Sequence, residues 1–155
     1  MPSDARQLVL AFHDEQAGAH VVIAEYGEDG WESSPESMAA GRAARMVAEL
    51  ANLRGNDIVA DAASASELAA LDLDPPRVSL RVRGAALGEE SGPVLAEVWL
   101  GEVDADRGIV ARNAGPEGSD RIYRIDFALA EHLPVSLEAF RNRFLSKEPA
   151  PEPGA

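Results

Sequence analysis

The three histidines are the first side chains to weigh for metal chemistry. His13, His20 and His132 lie in separate segments, and no two of them have the i, i+4 spacing with which one helix presents a pair of ligands. Cysteine is absent, which excludes thiolate nucleophiles, zinc–thiolate sites and disulfides. A shared site would need the fold to gather distant histidines, so we expect no metal and no cofactor.

Three acids at alternate positions resemble the start of a calcium loop. Glu102, Asp104 and Asp106 have this spacing, but the helix–loop–helix motif requires Gly at its sixth place and Glu at its twelfth. Here Arg107 and Asn113 occupy those places. The segment is therefore interpreted as a solvated hairpin turn.

Nucleophile and phosphate motifs are missing from the sequence. No serine lies in a Gly-x-Ser-x-Gly elbow. The glycine-containing segment 84–92 lacks the Gly-Lys-Ser/Thr ending of a phosphate-binding loop. No catalytic residue can be assigned. We expect a domain that is not an enzyme, and an enzyme with an unrecognised site is the least favoured alternative.

Three arginines alternate along one predicted strand. Arg77, Arg81 and Arg83 lie on the face opposite Val78, Leu80 and Val82, because successive side chains of a strand point to opposite sides. Such a basic stripe could dock an acidic partner, pair with acids of this chain, or be a solvated sheet face. We take these arginines as candidate partner-docking residues.

The charge balance limits the classes of partner. The chain carries 27 acids against 14 Lys and Arg, a net charge of −13, which repels phosphate backbones and anionic membrane surfaces. No apolar run approaches the roughly 20 residues that a membrane span requires, and no signal pattern opens the sequence. We therefore expect a protein partner, no nucleic acid and no membrane insertion by this chain.

The elements that would position these side chains form an α+β domain. Alternating apolar patterns predict an antiparallel meander sheet of about six strands, four of them within residues 77–127. Ser34, Pro35 and Glu36 predict the start of one main helix at about 35–54, packed on a face of the sheet and ended by Gly55. Apolar residues at three- and four-residue spacing predict one buried stripe on it, formed by Ala39, Ala43, Met46, Val47, Leu50 and Leu53. Short helices are predicted near 65–71, opened by a capping box of Ser64 and Glu67, and near 136–144, capped by Ser136.

The domain organisation follows from length and composition. At 155 residues with 46% hydrophobic residues, the chain is long enough to bury one core. Residues 1–147 are predicted to be a single globular domain. Residues 148–155 are rich in Pro, Glu and Ala and are predicted to be a disordered tail.

Several short segments together resemble a known family. Their more specific parts are Asn52-Leu53-Arg54 and the Leu73-Asp74-Pro75-Pro76 segment before a strand. Leu100-Gly101-Glu102 after a strand and Ile122-Tyr123 before the last helix continue the pattern. Across about residues 20–145, the chain resembles the bacterial domain-of-unknown-function family numbered forty-three-forty.

This resemblance implies a biological setting but no site. Members usually carry an N-terminal membrane anchor and project outside the cytoplasmic membrane, and some resemble auxiliary subunits beside gliding-motility-type ABC transporters. The family supplies no catalytic residues to carry over. We expect a non-catalytic, extracytoplasmic interaction domain associated with a membrane transport or motility complex. The alternative is a small-ligand-binding domain of the cytoplasm.

Overall fold

A computed structural model provides the fold of this protein. It describes residues 4–14, 18–28, 30–34, 36–39, 41–52, 57–61, 64–85, 92–104, 106, 108–115, 121–127 and 133–145. Eight strands and three helices lie within them. The strands are β1 (Gln7–Asp14), β2 (Gly18–Gly27), β3 (Gly30–Ser34), β4 (Asp57–Ala60), β5 (Val78–Arg83), β6 (Val94–Asp104), β7 (Gly108–Asn113) and β8 (Ile122–Ile125). The helices are α1 (Arg42–Asn52), α2 (Ala65–Ala70) and α3 (Leu137–Arg143).

All eight strands belong to one antiparallel sheet in the order β3-β2-β1-β5-β6-β7-β8-β4. This confirms an antiparallel sheet with few helices, but the prediction of about six strands was too low. The N-terminal meander β1–β3 and the later meander β5–β8 join through the pairing of β1 with β5. The short strands β3 and β4 complete the two edges, and pairing over such sequence separations cannot be read from local patterns.

The main core lies on one face of the sheet, beneath α1 and α3. Strand residues such as Leu10, Val22 and Leu80 are fully buried there. Phe140 of α3 contacts Phe12 of β1, with ring centroids 5.2 Å apart. The predicted apolar stripe of the main helix is confirmed, because its members inside α1 are all buried. These are Ala43, Met46, Val47 and Leu50.

The predicted start of the main helix at residue 35 was wrong. Ser34 ends β3 rather than capping a helix, and α1 begins at Arg42, directly after Gly41. Between them, Ser33 Oγ donates to the carbonyl of Glu36 (2.6 Å) and accepts from the Met38 amide (2.8 Å). These bonds hold the connection in a non-helical form. The predicted end, with Leu53, Arg54 and Gly55, lies outside the described residues.

The two short helices confirm their predicted caps. Ser64 and Glu67 form the capping box that opens α2, and Ser136 Oγ accepts from the Ala139 amide at the start of α3. α2 and the segment after it lie on the sheet face opposite α1 and α3. There, Leu73 forms a second, smaller core with buried residues of β7 and β8.

The predicted hairpin turn on the segment with Glu102, Asp104 and Asp106 was partly wrong. β6 continues through Gly101 to Asp104, and β7 begins at Gly108, with an irregular register between Leu100 and Val103. Gly101 is required by close packing, because a Cβ there would lie 2.2 Å from the carbonyl oxygen of Leu71. That contact comes from the segment after α2 and is invisible in the local sequence.

Other predictions fall on parts of the chain that the structure does not describe. The predicted tail 148–155 is among them. Within the described residues, no helix has the length and apolar character that crossing a membrane requires.

Candidate functional site

One region of the sheet is left uncovered by the described helices. It is the face opposite α1 and α3, on strands β3, β2, β1 and β5, and we call it the open face. Three rows of directly paired residues define it across these strands. They are Glu32–Glu25–Gln7–Arg83, Ser34–Ile23–Val9–Arg81 and, on β2, β1 and β5, Val21–Ala11–Ser79.

The centre of the open face is apolar. Val21 is 46% exposed and Ile23 is 37% exposed, although both lie in the interior of a paired strand. Val9 and Ala11 of β1 stand beside them and are half-buried. These four side chains form a contiguous apolar strip that faces solvent. The strip was not predicted, because the sequence alone does not show which strands a helix will cover.

The predicted basic stripe forms one margin of this strip. Arg81 Nε donates to Glu97 Oε1 across the β5–β6 pair (2.6 Å), and Arg83 Nη1 donates to the carbonyl of Gly92 (3.0 Å). Arg77 directly precedes β5 and is half-buried, and its backbone carbonyl accepts from the His13 amide. The register places Arg81 and Arg83 on the open face, where both are also bonded inside the chain, whereas Arg77 lies just outside their strand.

Glu97 is the most deeply buried charged side chain among the described residues, at 7% exposure. Its second oxygen accepts from Trp99 Nε1 (2.7 Å), and Arg112 of β7 lies over the Trp99 ring at 5.3 Å. The signal for this network was present in the sequence, since Arg81 and Glu97 both alternate with apolar residues. Only the β5–β6 register shows that they stand directly opposite each other.

The other margin of the open face is acidic. Glu25 of β2 stands directly opposite Glu32 of β3, and Gln7 Nε2 donates to Glu25 Oε1 at 3.4 Å. Like charges directly opposite each other destabilise a strand pair. A shallow groove of about 490 Å³ runs along this hairpin, with Glu28 as its third acid. The described acids and histidines do not gather anywhere into a group of three with metal-binding geometry.

A separate polar cluster ties α3 to the sheet. Glu36 Oε1 lies 2.5 Å from His20 Nε2, and Arg141 donates to both oxygens of Glu36 at 3.2 and 3.3 Å. Burial by itself would raise the pKa of Glu36, but the hydrogen bonds and charges of Arg141 and His20 outweigh it and lower this pKa below its ordinary value. The cluster connects β2, the β3–α1 connection and α3, so its geometry is that of a structural clamp.

The remaining candidate residues are not brought together. His13 is exposed near the end of β1, and His132 lies outside the described residues. Asp104 Oδ1 accepts from the Asp106 amide in the β6–β7 hairpin, which agrees with the predicted turn. Trp31 and Trp99 are half-buried against the main and the second core.

Comparison with protein families identifies the family to which the chain belongs. A family model described as Domain of unknown function (DUF4340) matches residues 34–152. The chain belongs to the DUF4340 family. No curated protein and no solved structure matches it.

The DUF4340 match divides the sheet in two. Strands β5, β6, β7, β8 and β4 lie within it, together with all three helices, whereas β1 and β2 lie outside and β3 only touches its first residue. The resemblance was therefore predicted to begin too early, at about residue 20. The open face is formed by the N-terminal strands and by β5, the first matched strand that they pair with.

Proposed function

We propose that this DUF4340 domain is a non-catalytic interaction domain that binds a protein partner through the open face. The observation that carries the proposal is the solvent-exposed apolar strip at the centre of this face. Antiparallel sheets often have one solvated face, but the side chains on that face are then usually polar. Here Val21 and Ile23, alternate residues of β2, are both apolar and exposed.

The physical basis of docking is the removal of this strip from water. Burying apolar surface yields roughly 25 cal/mol per Å². Charged margins add orientation rather than affinity, because rim charges act mainly on association rate and register. Arg77, Arg81 and Arg83 supply the basic margin, and Arg83 keeps donors beyond the one that bonds Gly92. The docking role of the arginines is thus proposed as a contribution to orientation.

The setting of this interaction is proposed from the family resemblance. It is an extracytoplasmic complex for membrane transport or motility, in which the domain serves as an accessory subunit. The rival function, binding of a small ligand in the cytoplasm, has less geometric support. The groove of about 490 Å³ on the β2–β3 hairpin is shallow and lined by Glu25, Glu28 and Glu32, whereas typical ligand pockets are concave and mostly apolar. The cleft beside Trp31 measures about 170 Å³, below the roughly 300–1,000 Å³ of such pockets.

Site-specific photo-crosslinking tests the proposed function. A photoreactive residue at position 21 should crosslink a discrete protein in cells that express the domain, and Ile23→Lys should suppress the product. The matched control is the same residue at position 45, where Arg45 is exposed on α1 on the other side of the molecule. Equal yields at positions 21 and 45, or no product at 21, would contradict the proposal.

A further inference from the structure

The open face is complementary to itself in charge. The first row reads Glu32, Glu25, Gln7, Arg83 across four neighbouring strands, from the acidic margin to the basic margin. The second row, Ser34–Ile23–Val9–Arg81, again has its cation on β5 and apolar residues at the centre. The apolar strip therefore lies between a side rich in Glu and a side rich in Arg.

A dimer with two-fold symmetry can bring the acidic margin of each copy against the basic margin of the other. If the two-fold axis runs parallel to the strands between β1 and β2, a second copy stacks face to face, with its strand order reversed across the axis. Arg83 of one copy then lies over Glu32 of the other, and Ile23 lies over Val9. Every contact occurs twice, as isologous symmetry requires. Aligned packing of two sheets about 10 Å apart is an established arrangement.

We propose that the partner of the open face is a second copy of this chain. The inference rests on the proposed function, since it names the partner of the same surface. Charge complementarity carries it. Glu32 lies opposite Arg83 of the other copy, and Glu25 lies opposite Gln7. The like-charged pair Glu25–Glu32, which is unfavourable within one chain, thereby gains polar and charged partners. The apolar strip that one chain leaves in water is covered by the same strip of its twin.

The size of the patch sets the expected affinity. Four strands at about 4.8 Å and six residues at about 3.3 Å span roughly 19 Å by 20 Å. Such an area is at the low end for specific association, where complexes are transient. The net charge of −13 on each chain adds general repulsion, which salt screens. We therefore expect weak dimerisation. Sedimentation velocity over a wide range of protein concentrations, at about 0.15 M salt, measures the dissociation constant.

Charge reversal at two positions provides the decisive experiment. Arg83→Glu alone and Glu32→Arg alone each place like charges at both symmetry-related contacts, so each variant should dimerise at least about tenfold more weakly. An equimolar mixture of the two variants should recover dimers, because both contacts then join Glu to Arg. Within one chain, positions 32 and 83 lie three strands apart, roughly 14 Å. Recovery therefore cannot arise inside a single copy.

The controls use the other side of the molecule and the centre of the patch. Arg45→Glu and Glu138→Arg make the same changes in net charge at exposed positions of α1 and α3, and they should leave dimerisation unchanged. Ile23→Lys, with both charged margins intact, should abolish it. This variant keeps the test decisive if a reversal at position 83 impairs folding, as judged by circular dichroism.

The outcomes separate the inference from the proposed function. A wild-type chain that stays monomeric throughout, or a mixture that fails to recover dimers, overturns the inference. If position 21 still crosslinks a different protein in that case, the interaction function stands with another partner. If position 21 crosslinks nothing, both are wrong.

Discussion

At the scale of single residues, the pair of Arg81 and Glu97 shows how a charge is kept beneath a sheet surface. Both oxygens of the buried Glu97 carboxylate accept hydrogen bonds, one from Arg81 and one from Trp99. A buried carboxylate that loses its cation keeps its desolvation cost without compensation. The pair therefore serves the fold as well as the basic margin of the open face.

Removing one partner of the Arg81–Glu97 pair should destabilise the fold more than removing both partners. Arg81→Met should lower the free energy of unfolding by about 1–3 kcal/mol, because it leaves the Glu97 charge unpaired. The double variant Arg81→Met with Glu97→Met should recover at least half of that loss. Urea denaturation measures both values, and Arg45→Met serves as the exposed control. A double variant less stable than the single one would contradict this expectation, because it would show that Glu97 stabilises the fold without Arg81, through its bond with Trp99.

Glu36 gives the fold a predictable dependence on pH. Its pKa is lowered in the folded protein, so its contribution to stability is full above the pKa of the unfolded chain. That contribution is lost as the pH falls through the folded pKa. Glu36→Gln should therefore be less stable than wild type at neutral pH, and the difference should shrink in acid. Thermal melts across the acidic range measure it, and a difference that stays constant down to the lowest pH would refute this role.

At the scale of elements, features that depend on nearby residues were predicted from the sequence, whereas features that depend on distant contacts were not. The caps of α2 and α3 act within one turn, and the sequence predicted both of them. The start of α1 depends on Ser33, which bonds the connection in a non-helical form, and on the pairing of Met38 with Leu145 near the other end of the chain. A good capping sequence at Ser34 was thereby overridden by tertiary contacts.

Gly101 allows a direct test of such a contact. Gly101→Ala places a Cβ at 2.2 Å from the Leu71 carbonyl oxygen and 3.0 Å from the Leu73 side chain, so the segment after α2 must move. We expect a loss of roughly 1–3 kcal/mol, typical of overpacking. Gly27→Ala is the matched strand control, because nothing lies within 4 Å of a Cβ there. Similar denaturation midpoints for the two variants would mean that the contact does not constrain the fold.

At the scale of the whole molecule, the N-terminal strands are integral to the sheet although the family match does not include β1 and β2. β1 lies between β2 and β5, and it contributes Leu8, Leu10 and Phe12 to the main core. The same strands supply most of the open face. The architecture thus joins the family-matched region to N-terminal strands that carry most of the candidate interaction surface.

Truncation should show this dependence. A chain that lacks residues 1–33 would expose the paired edge of β5 and remove three large core side chains, and exposed apolar edge strands promote aggregation. We expect it to lose cooperative unfolding, in contrast to the full chain. Circular dichroism melts and size-exclusion chromatography check the result. A soluble fragment with a sharp thermal transition would show that the matched region folds alone.

The sequence by itself determined the local features of this protein. Period-two alternation predicted an antiparallel sheet, although with too few strands. Ser64 with Glu67 and Ser136 predicted the caps of two helices, and the apolar stripe identified the buried side of α1. The family membership also followed from short motifs. These features depend on neighbours within a few residues, so the printed order of amino acids contains them.

Only the tertiary structure decided which strands pair over long distances and which face the described helices leave uncovered. The opposition of Arg81 to Glu97, the joining of β1 to β5 and the exposure of Val21 and Ile23 all depend on sheet register and helix placement. The same alternating pattern fits a strand with a covered face or an open one. Among the described residues, α1 and α3 cover one side of the sheet, whereas α2 and the segment after it pack on the other side near β4, β6, β7 and β8 and leave the candidate surface exposed.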